Sequence, residues 1–167
     1  MSRELFILRH AKSDWDSGAS KDSERPLNKR GSKEAPKIGA WMHEQGLMPA
    51  QVYCSTAVRA RETLQAVAKE LRLPSTHIHF MDALYLADLR TLLKTLAEIP
   101  PQHTSAMLVG HNPGLDELVM TLAPAIEAPI SIFMAAISLS ACIKMPSSSL
   151  AIAPAIYSVN SFCGVMG

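Results

Sequence analysis

Two histidines and two arginines stand at positions from which a folded sheet could bring them together. Arg9 and His10 directly follow one apolar run, His111 follows another, and Arg59 comes shortly after a third. Arginine is always charged, and its planar fork matches the oxygens of a phosphate. Neutral imidazole is a competent nucleophile toward phosphorus, and a second imidazole that a dianion keeps protonated can stabilise the transferring oxygens. The set predicts phosphoryl transfer without a metal ion.

The elements that must position these residues alternate along the chain. Such alternation is typical of an α/β domain, here a three-layer α/β/α sandwich with a mainly parallel central sheet. In such a sheet the ligand crevice lies outside the carboxyl ends of the strands, so residues that follow strands become site candidates. Strands are predicted at 4–9, 51–54, 77–81, 105–109 and 150–159, and helices at 28–45, 58–71, 88–98 and 115–122.

Polar residues at the predicted helix starts specify several of the boundaries. Asn28 and Asp88 are expected to cap the first and third helices, because their side chains accept hydrogen bonds from unpaired backbone N–H groups. Ser55 or Thr56 is expected to cap the second helix. Pro36 lies inside the first helix and predicts a kink or a late start there.

Size and charge limit the classes of partner. The 167 residues fit one domain over 1–167, with an atypical composition after about residue 124, and the net charge of +1 favours neither nucleic acid nor an acidic membrane. The uncharged stretch 128–143 is shorter than the ~20 residues of a membrane span and is interpreted as core or as a poorly packed connection. Three scattered cysteines and the lack of an N-terminal signal pattern predict a cytoplasmic location.

Four segments together resemble a known family. "LRHAKSDW", "CSTAVRARETL" and "LVGHNPGL" occur in the order of the signature segments of the histidine phosphatase (phosphoglycerate mutase-like) superfamily. With "ERPLNKRG", the set is most similar to the small bacterial phosphohistidine phosphatases within that family. The resemblance spans residues 5–122, and a fainter likeness of "MPSSSLAIA" extends it to about residue 152.

The resemblance implies a role for each matching residue. His10 would be the nucleophile that becomes phosphohistidine, and Arg9 beside it would bind the phosphoryl group. Arg59 and His111 would complete the phosphate pocket. Arg25, in the "RPL" element, is a weaker candidate for contacting phosphate or substrate. No cofactor and no metal ion are implied.

The sequence also departs from the family pattern. Ala11 replaces the glycine that follows the first histidine, and Asp16 stands where mutase-like members often have asparagine, so no phosphate contact is assigned to it. The connection between residues 71 and 88 is too short for the lid that carries an acid in larger members. Asp22 and Glu24 remain candidate proton donors.

The missing lid acid bears on the substrate. A phosphoramidate P–N bond is labile and its imidazole leaving group can depart protonated, so it asks less of a general acid than an alkoxide does. This favours a phosphohistidine in a signalling or phosphotransfer protein as the substrate. The chain itself is expected to be a monomer or weak dimer. A small-molecule phosphomonoesterase, or a non-catalytic phosphate-binding module on the same fold, stays open as the alternative.

The other candidates receive weaker predictions. Asp82, after the third strand, is given no active role, and Arg61 is expected to face away from the site. Tyr85 and its apolar neighbours are interpreted as core or core edge. Trp15 either covers the mouth of the site or anchors its loop. The "HIH" pattern at 77–79 places two histidines on one strand face, but it lacks the further ligands that a metal site needs.

Overall fold

Strands and helices alternate in the computed structural model, which describes residues 2–122, 132–135, 138–146 and 156–157. The predicted helices and the first four predicted strands are present, most within one residue of the expected ends. The strands are β1 (Ser2–Arg9), β2 (Gln51–Ser55), β3 (Ile78–Met81), β4 (Ser105–Gly110), β5 (Ile132–Ala135), β6 (Ser138–Pro146) and β7 (Ile156–Tyr157). The α-helices are α1 (Lys29–Glu44), α2 (Val58–Leu71), α3 (Leu89–Ala97) and α4 (Gly114–Leu122).

One sheet contains all the described strands, in the order β3-β2-β4-β1-β6-β5, with β7 paired to β6. Strands β1 to β4 are parallel to one another, whereas β6 runs antiparallel to β1. The β1–β4 register ends on the pair Arg9 and Gly110, and the His10 N–H donates to the Gly110 carbonyl at 3.2 Å. His10 and His111 therefore leave neighbouring strands at the same level.

Alternation along β1 divides the core into two apolar layers. Leu5 and Ile7 pack on one face of the sheet with buried residues of α3 and α4. Phe6 and Leu8 pack on the other face with buried residues of α1 and α2. Helices cover both faces of the parallel strands, so the predicted three-layer α/β/α arrangement is confirmed.

The helix caps agree with the prediction in two of three cases. Asn28 accepts from the N–H groups of Arg30 and Gly31, and Asp88 accepts from Thr91 N–H. Helix α2 instead begins after Ala57 with no side-chain cap, so the prediction of a Ser55 or Thr56 cap was wrong. Those two hydroxyls are engaged elsewhere, at His111 and Asp82.

Helix α1 begins at Lys29 and contains Pro36, so of the two predicted effects of this proline the late start is excluded, and the kink stays a prediction. The Asn28 side chain accepts hydrogen bonds from the first turn. Pro36 has no backbone N–H, and the helix continues beyond it without that one hydrogen bond.

The stretch 128–143 contains β5 and the beginning of β6, which form an antiparallel pair that was not predicted as strands. The predicted strand 150–159 contains β7, and its other residues lie outside the described part of the chain. The fainter "MPSSSLAIA" likeness begins in β6, and its residues after Pro146 likewise lie outside that part. None of the described helices combines the length and the apolar character that crossing a bilayer would require.

Candidate active site

A cleft of about 430 Å³ contains the candidate residues that follow β1 and β4. Its walls include the four side chains that the sequence pattern placed together, and Arg9 among them is half-buried. Because parallel strands end at one edge of the sheet, residues far apart in sequence meet there. The structure thus brings together Arg9, His10, Arg59 and His111, and adds Asp22 and Arg25 to the same wall.

The His10 ring is held in one tautomer. Its Nδ1 lies 2.7 Å from the carbonyl oxygen of Ala11, which can only accept, so Nδ1 carries the hydrogen. Its Nε2 lies 3.2 Å from Arg59 Nε, which always donates, so Nε2 presents a lone pair. Burial, together with the charges of Arg59 and Arg9, lowers the pKa of His10 to about 4. At neutral pH the ring is an uncharged base with Nε2 directed at a guanidinium.

Arg59 lies in the first turn of α2 and is 2% exposed. Besides its bond to His10, it donates from Nη1 to the Asp22 backbone oxygen at 2.6 Å and from Nη2 to Asp22 Oδ2 at 2.8 Å. Thr63, one turn later, donates to the Arg59 carbonyl at 2.7 Å and accepts from the Ala11 N–H at 3.0 Å. This hydroxyl ties the backbone that follows β1 to the helix that carries Arg59.

Asp22 connects three donors of the cleft. Its Oδ2 accepts from Arg59 and, at 2.7 Å, from the Tyr85 hydroxyl, while its Oδ1 accepts from Arg25 Nε at 2.9 Å. These hydrogen bonds, that from Tyr85 first, lower the pKa of Asp22 to about 2. The carboxyl is therefore ionised at neutral pH, which counts against the expectation that it donates a proton. Glu24 accepts from Ser20 at 2.7 Å, is exposed and does not line the cleft.

Arg25 and Trp15 flank the open side. The Arg25 guanidinium carbon lies 3.6 Å from the centre of the Trp15 ring, and its Nη1 donates to Ser13 Oγ at 3.1 Å. Trp15 is 71% exposed, so it lies at the mouth of the cleft and does not anchor its loop in the core. A stacked guanidinium of this kind has fewer accessible rotamers and keeps its charge near the cleft.

His111 has a different setting from His10. It is buried, its Nε2 lies 2.8 Å from Ser55 Oγ, and among the described residues its Nδ1 has no hydrogen-bond partner. The two histidine rings lie 5.1 Å apart between centroids, and the Tyr85 ring meets His111 edge-on at 5.5 Å. Burial and the charge of Arg59 lower the pKa of His111 to about 3, so this ring too is uncharged in the unliganded cleft.

The sequence pattern missed Tyr85 and Asn112. Tyr85 was interpreted as core edge, yet its hydroxyl donates to Asp22 from the short turn after β3. The strand-end rule that selected the other residues could have included it. Asn112 lines the cleft and donates from Nδ2 to Asp116 at 2.5 Å, while its Oδ1 is buried without a partner among the described residues.

The remaining sequence candidates lie outside the cleft. Arg61 lies over the Phe80 ring at 5.3 Å and, as expected, does not line the cleft. Asp82 accepts from Thr56 at 2.7 Å and is likewise absent from its walls. Within the described ranges, no three His, Cys, Asp or Glu side chains are close enough together to hold a metal ion, the histidines of the "HIH" pattern included.

Comparisons with known proteins all point to the same protein family. The model of the histidine phosphatase superfamily (branch 1) matches residues 5–85. An uncharacterised protein of Mycobacterium tuberculosis is 32% identical over 145 residues, which is 87% of this chain and 85% of that protein. The Escherichia coli protein named phosphohistidine phosphatase SixA is 29% identical over 128 residues, 76% of this chain and 78% of its own.

A solved structure supports the same fold. The protein histidine phosphatase SixA complexed with tungstate superposes with a TM-score of 0.70 at 26% identity, covering 86% of this chain and 97% of that chain. Relatives also occur outside bacteria, since an uncharacterised chloroplastic protein of Arabidopsis thaliana is 30% identical over 135 residues. The match covers 75% of this chain and 61% of that protein.

Proposed function

The chain belongs to the histidine phosphatase superfamily, and on that premise we propose that it hydrolyses phosphohistidine in a signalling or phosphotransfer protein through a covalent intermediate on His10. The Nε2 lone pair attacks phosphorus, the bond from phosphorus to the leaving group breaks, and the leaving group keeps the electron pair. Water then cleaves the new P–N bond, releasing inorganic phosphate and restoring the imidazole.

The observation that carries the proposal is the tautomer of His10. The Ala11 carbonyl fixes the hydrogen on Nδ1, so the nitrogen that faces Arg59 is the unprotonated one. A neutral imidazole is the reactive form, and the lowered pKa keeps it neutral from about pH 4 upward. Positioned this way, the nucleophile needs no separate base to remove a proton before attack.

The surrounding charges favour a phosphoryl group next to that nitrogen. Arg9, Arg25 and Arg59 contribute three permanent positive charges, and Asp22 offsets one of them. An incoming phosphoryl group competes with the Asp22 carboxylate for the N–H groups of Arg59 and Arg25. Phosphoryl transfer depends mainly on positioning and charge neutralisation, which this arrangement supplies.

The protonation states support a phosphoramidate as substrate. Asp22 is ionised and cannot supply a proton, and burial and the nearby Asp22 raise the pKa of the Tyr85 phenol, which makes it a weak acid. An alkoxide leaving group needs such a proton, whereas an imidazole protonated on its other nitrogen departs as a neutral molecule. The described part of the cleft therefore suits phosphohistidine better than an alkyl phosphate ester.

A substrate panel tests the proposal. The purified chain is assayed with a phosphohistidine peptide, phosphoserine and para-nitrophenyl phosphate, each with excess EDTA, and the covalent intermediate is sought by intact-mass measurement after rapid quenching. The expected result is turnover of the phosphohistidine peptide well above that of phosphoserine, with a transient mass increase of one phosphoryl group. His10→Ala should abolish both, whereas His79→Ala, an exposed histidine bonded to Gln51, should change neither.

Three results would contradict the proposal in different ways. Equal turnover of phosphoserine and phosphohistidine would indicate a phosphomonoesterase of the same superfamily. Phosphate binding without turnover of any substrate would indicate a binding module. Loss of turnover in EDTA would require a metal ion.

A further inference from the structure

The hydrogen bonds that the Ser55 hydroxyl makes with the described residues can all be accounted for. Ser55 ends β2 and is fully buried. Its Oγ accepts from the Ala57 N–H at 3.3 Å and lies 2.8 Å from His111 Nε2, and it has no other partner among the described residues. A hydroxyl has one hydrogen to donate, and within the described part of the chain its one acceptor is His111 Nε2.

The hydrogen bonds of Ser55 determine which nitrogen of His111 carries the hydrogen. If Ser55 donates to Nε2, then Nε2 holds the lone pair and Nδ1 holds the hydrogen in the neutral ring. Nδ1 points away from Ser55, because the two ring nitrogens are on opposite sides of the carbon between them. It is a buried donor without a partner among the described residues, and such groups are rare unless a ligand or water completes them.

We propose that Ser55 is a positioning residue that holds His111 in the Nδ1–H tautomer, so that Nδ1 donates a hydrogen bond to an oxygen of the bound phosphoryl group. The inference rests on the proposed function for the identity of the ligand. It replaces the expectation that His111 acts as a protonated imidazolium, because a hydrogen on Nε2 would leave the Ser55 hydroxyl without an acceptor.

Most of the charged groups around His111 also favour the neutral ring. Among the described residues, the charges of Arg59, His10 and Arg9 disfavour a positive charge on the ring, whereas that of Asp22 favours it. The Tyr85 ring packs edge-on against the imidazole and adds no charge. Burial outweighs the attraction of Asp22, so the neutral form that Ser55 requires is the form that the surroundings stabilise.

Nitrogen NMR of the wild-type chain tests the tautomer without reference to activity. Long-range ¹H–¹⁵N correlation of ¹⁵N-histidine-labelled protein distinguishes protonated from unprotonated ring nitrogens, and His111 is assigned as the signal lost in His111→Gln. The expected result at neutral pH is a protonated Nδ1 and an unprotonated Nε2. A protonated Nε2, alone or in an imidazolium, would overturn the proposal.

Substitution of Ser55 tests its role. Ser55→Ala should raise the inhibition constant of inorganic phosphate about tenfold, as loss of one hydrogen bond to a charged group predicts, and His111 should no longer show the single Nδ1–H form. Ser55→Thr keeps the hydroxyl and should restore both. If Ser55→Ala leaves the tautomer and phosphate inhibition unchanged, Ser55 does not position His111.

Ser105 provides a matched control. It is also a buried serine at a strand end, and its Oγ accepts from Ala50 N–H at 2.9 Å and donates to the Met48 carbonyl at 3.2 Å. Ser105→Ala should lower the unfolding temperature to a similar extent without altering His111 or phosphate inhibition. A similar change of the His111 signals in this control would mean that the Ser55 effect is general loosening, and the positioning role would be rejected.

The two proposals fail separately. If no phosphorylated substrate is turned over, the proposed function is wrong, but the NMR tautomer and the binding of inorganic phosphate still decide the Ser55 inference. If turnover is observed and Nε2 of His111 is protonated, the function stands and the inference fails.

Discussion

The carboxyl ends of β1 and β4 each present a histidine, and they do so in opposite ways. At the end of β1, a backbone carbonyl holds Nδ1 of His10 and leaves Nε2 facing a guanidinium. At the end of β4, a serine hydroxyl contacts Nε2 of His111 and leaves Nδ1 without a partner among the described residues. If Ser55 donates as proposed, the two rings are the same tautomer turned in opposite senses. One ring then offers a lone pair, and the other offers a hydrogen.

The difference shows how neighbouring strand ends can serve different chemistry. A backbone carbonyl cannot become a donor, so the tautomer of His10 is independent of any side chain. The tautomer of His111 depends on a hydroxyl that could rotate if its other partner changed. We therefore expect the tautomer of His10 to survive substitution of neighbouring side chains, and the tautomer of His111 to change when its serine partner is replaced.

Replacing each histidine in turn should give the largest losses of turnover, and the two losses should differ. His10→Asn should reduce turnover by about a thousandfold or more, because it removes the proposed nucleophile. His111→Asn should reduce it about a hundredfold, the size expected for one lost donor to the transferring group. Steady-state kinetics and intermediate trapping measure both, and equal losses would mean that the two strand ends do not have distinct roles.

Arg59 touches the β1 end directly, and its substitution should give the next largest effect. Arg59→Lys keeps the charge but loses the fork that contacts His10 and Asp22 together, and kcat/KM should fall about a hundredfold. Arg61→Lys, two positions along the same helix and outside the cleft, should leave kcat/KM unchanged. A similar fall in both variants would point to a general effect on α2.

The two lowered pKa values predict how stability depends on pH. Both histidines are neutral in the folded chain down to about pH 4 and about pH 3, whereas the unfolded chain takes up these protons below pH 6.5. The free energy of unfolding should therefore fall as the pH drops from about 6.5 toward 4. Denaturant titrations across this range should show a shallower fall for His10→Asn and for His111→Asn. An unchanged slope in both variants would refute the assignment.

Tyr85 lies between the two ends, and its substitution should give the smallest effect. Tyr85→Phe removes the hydrogen bond to Asp22 and keeps the edge contact with His111. Phosphate inhibition should change by about fivefold or less, the value of one partly exposed hydrogen bond. Loss of turnover as large as that in His111→Asn would show that the phenol takes part in the chemistry itself.

The placement of the cleft residues could be predicted because it follows from sheet geometry. Arg9 and His10 follow one apolar run and His111 follows another. Such runs are typical of central strands, and parallel strands end at a common edge. The helix starts at Asn28 and Asp88 could be predicted equally well, because an N-cap depends on local sequence.

Contacts between segments distant in sequence could not be predicted in the same way. Asp22 was predicted as a candidate proton donor, whereas its hydrogen bonds to Tyr85 and Arg59 keep it ionised. The sequence does not show these bonds, because both partners come much later in the chain. Ser55 was assigned to a helix cap because the competing partner, His111, becomes adjacent only when β2 and β4 pair. The pair β5 and β6 was missed because the uncharged stretch 128–143, which contains β5 and the beginning of β6, lacks the alternation that marks a half-buried strand.

The position of β1 within the sheet has a consequence for how the cleft opens. Strand β1 is paired on both sides, with β4 and β6, so its amides should exchange with solvent hydrogen only through unfolding of the whole domain. The turn that carries Asp22 contains no buried residue, and its amides should exchange through local opening at far smaller cost. The chain would thus release Asp22 from Arg59 many times for each time it disturbs the strand that carries His10.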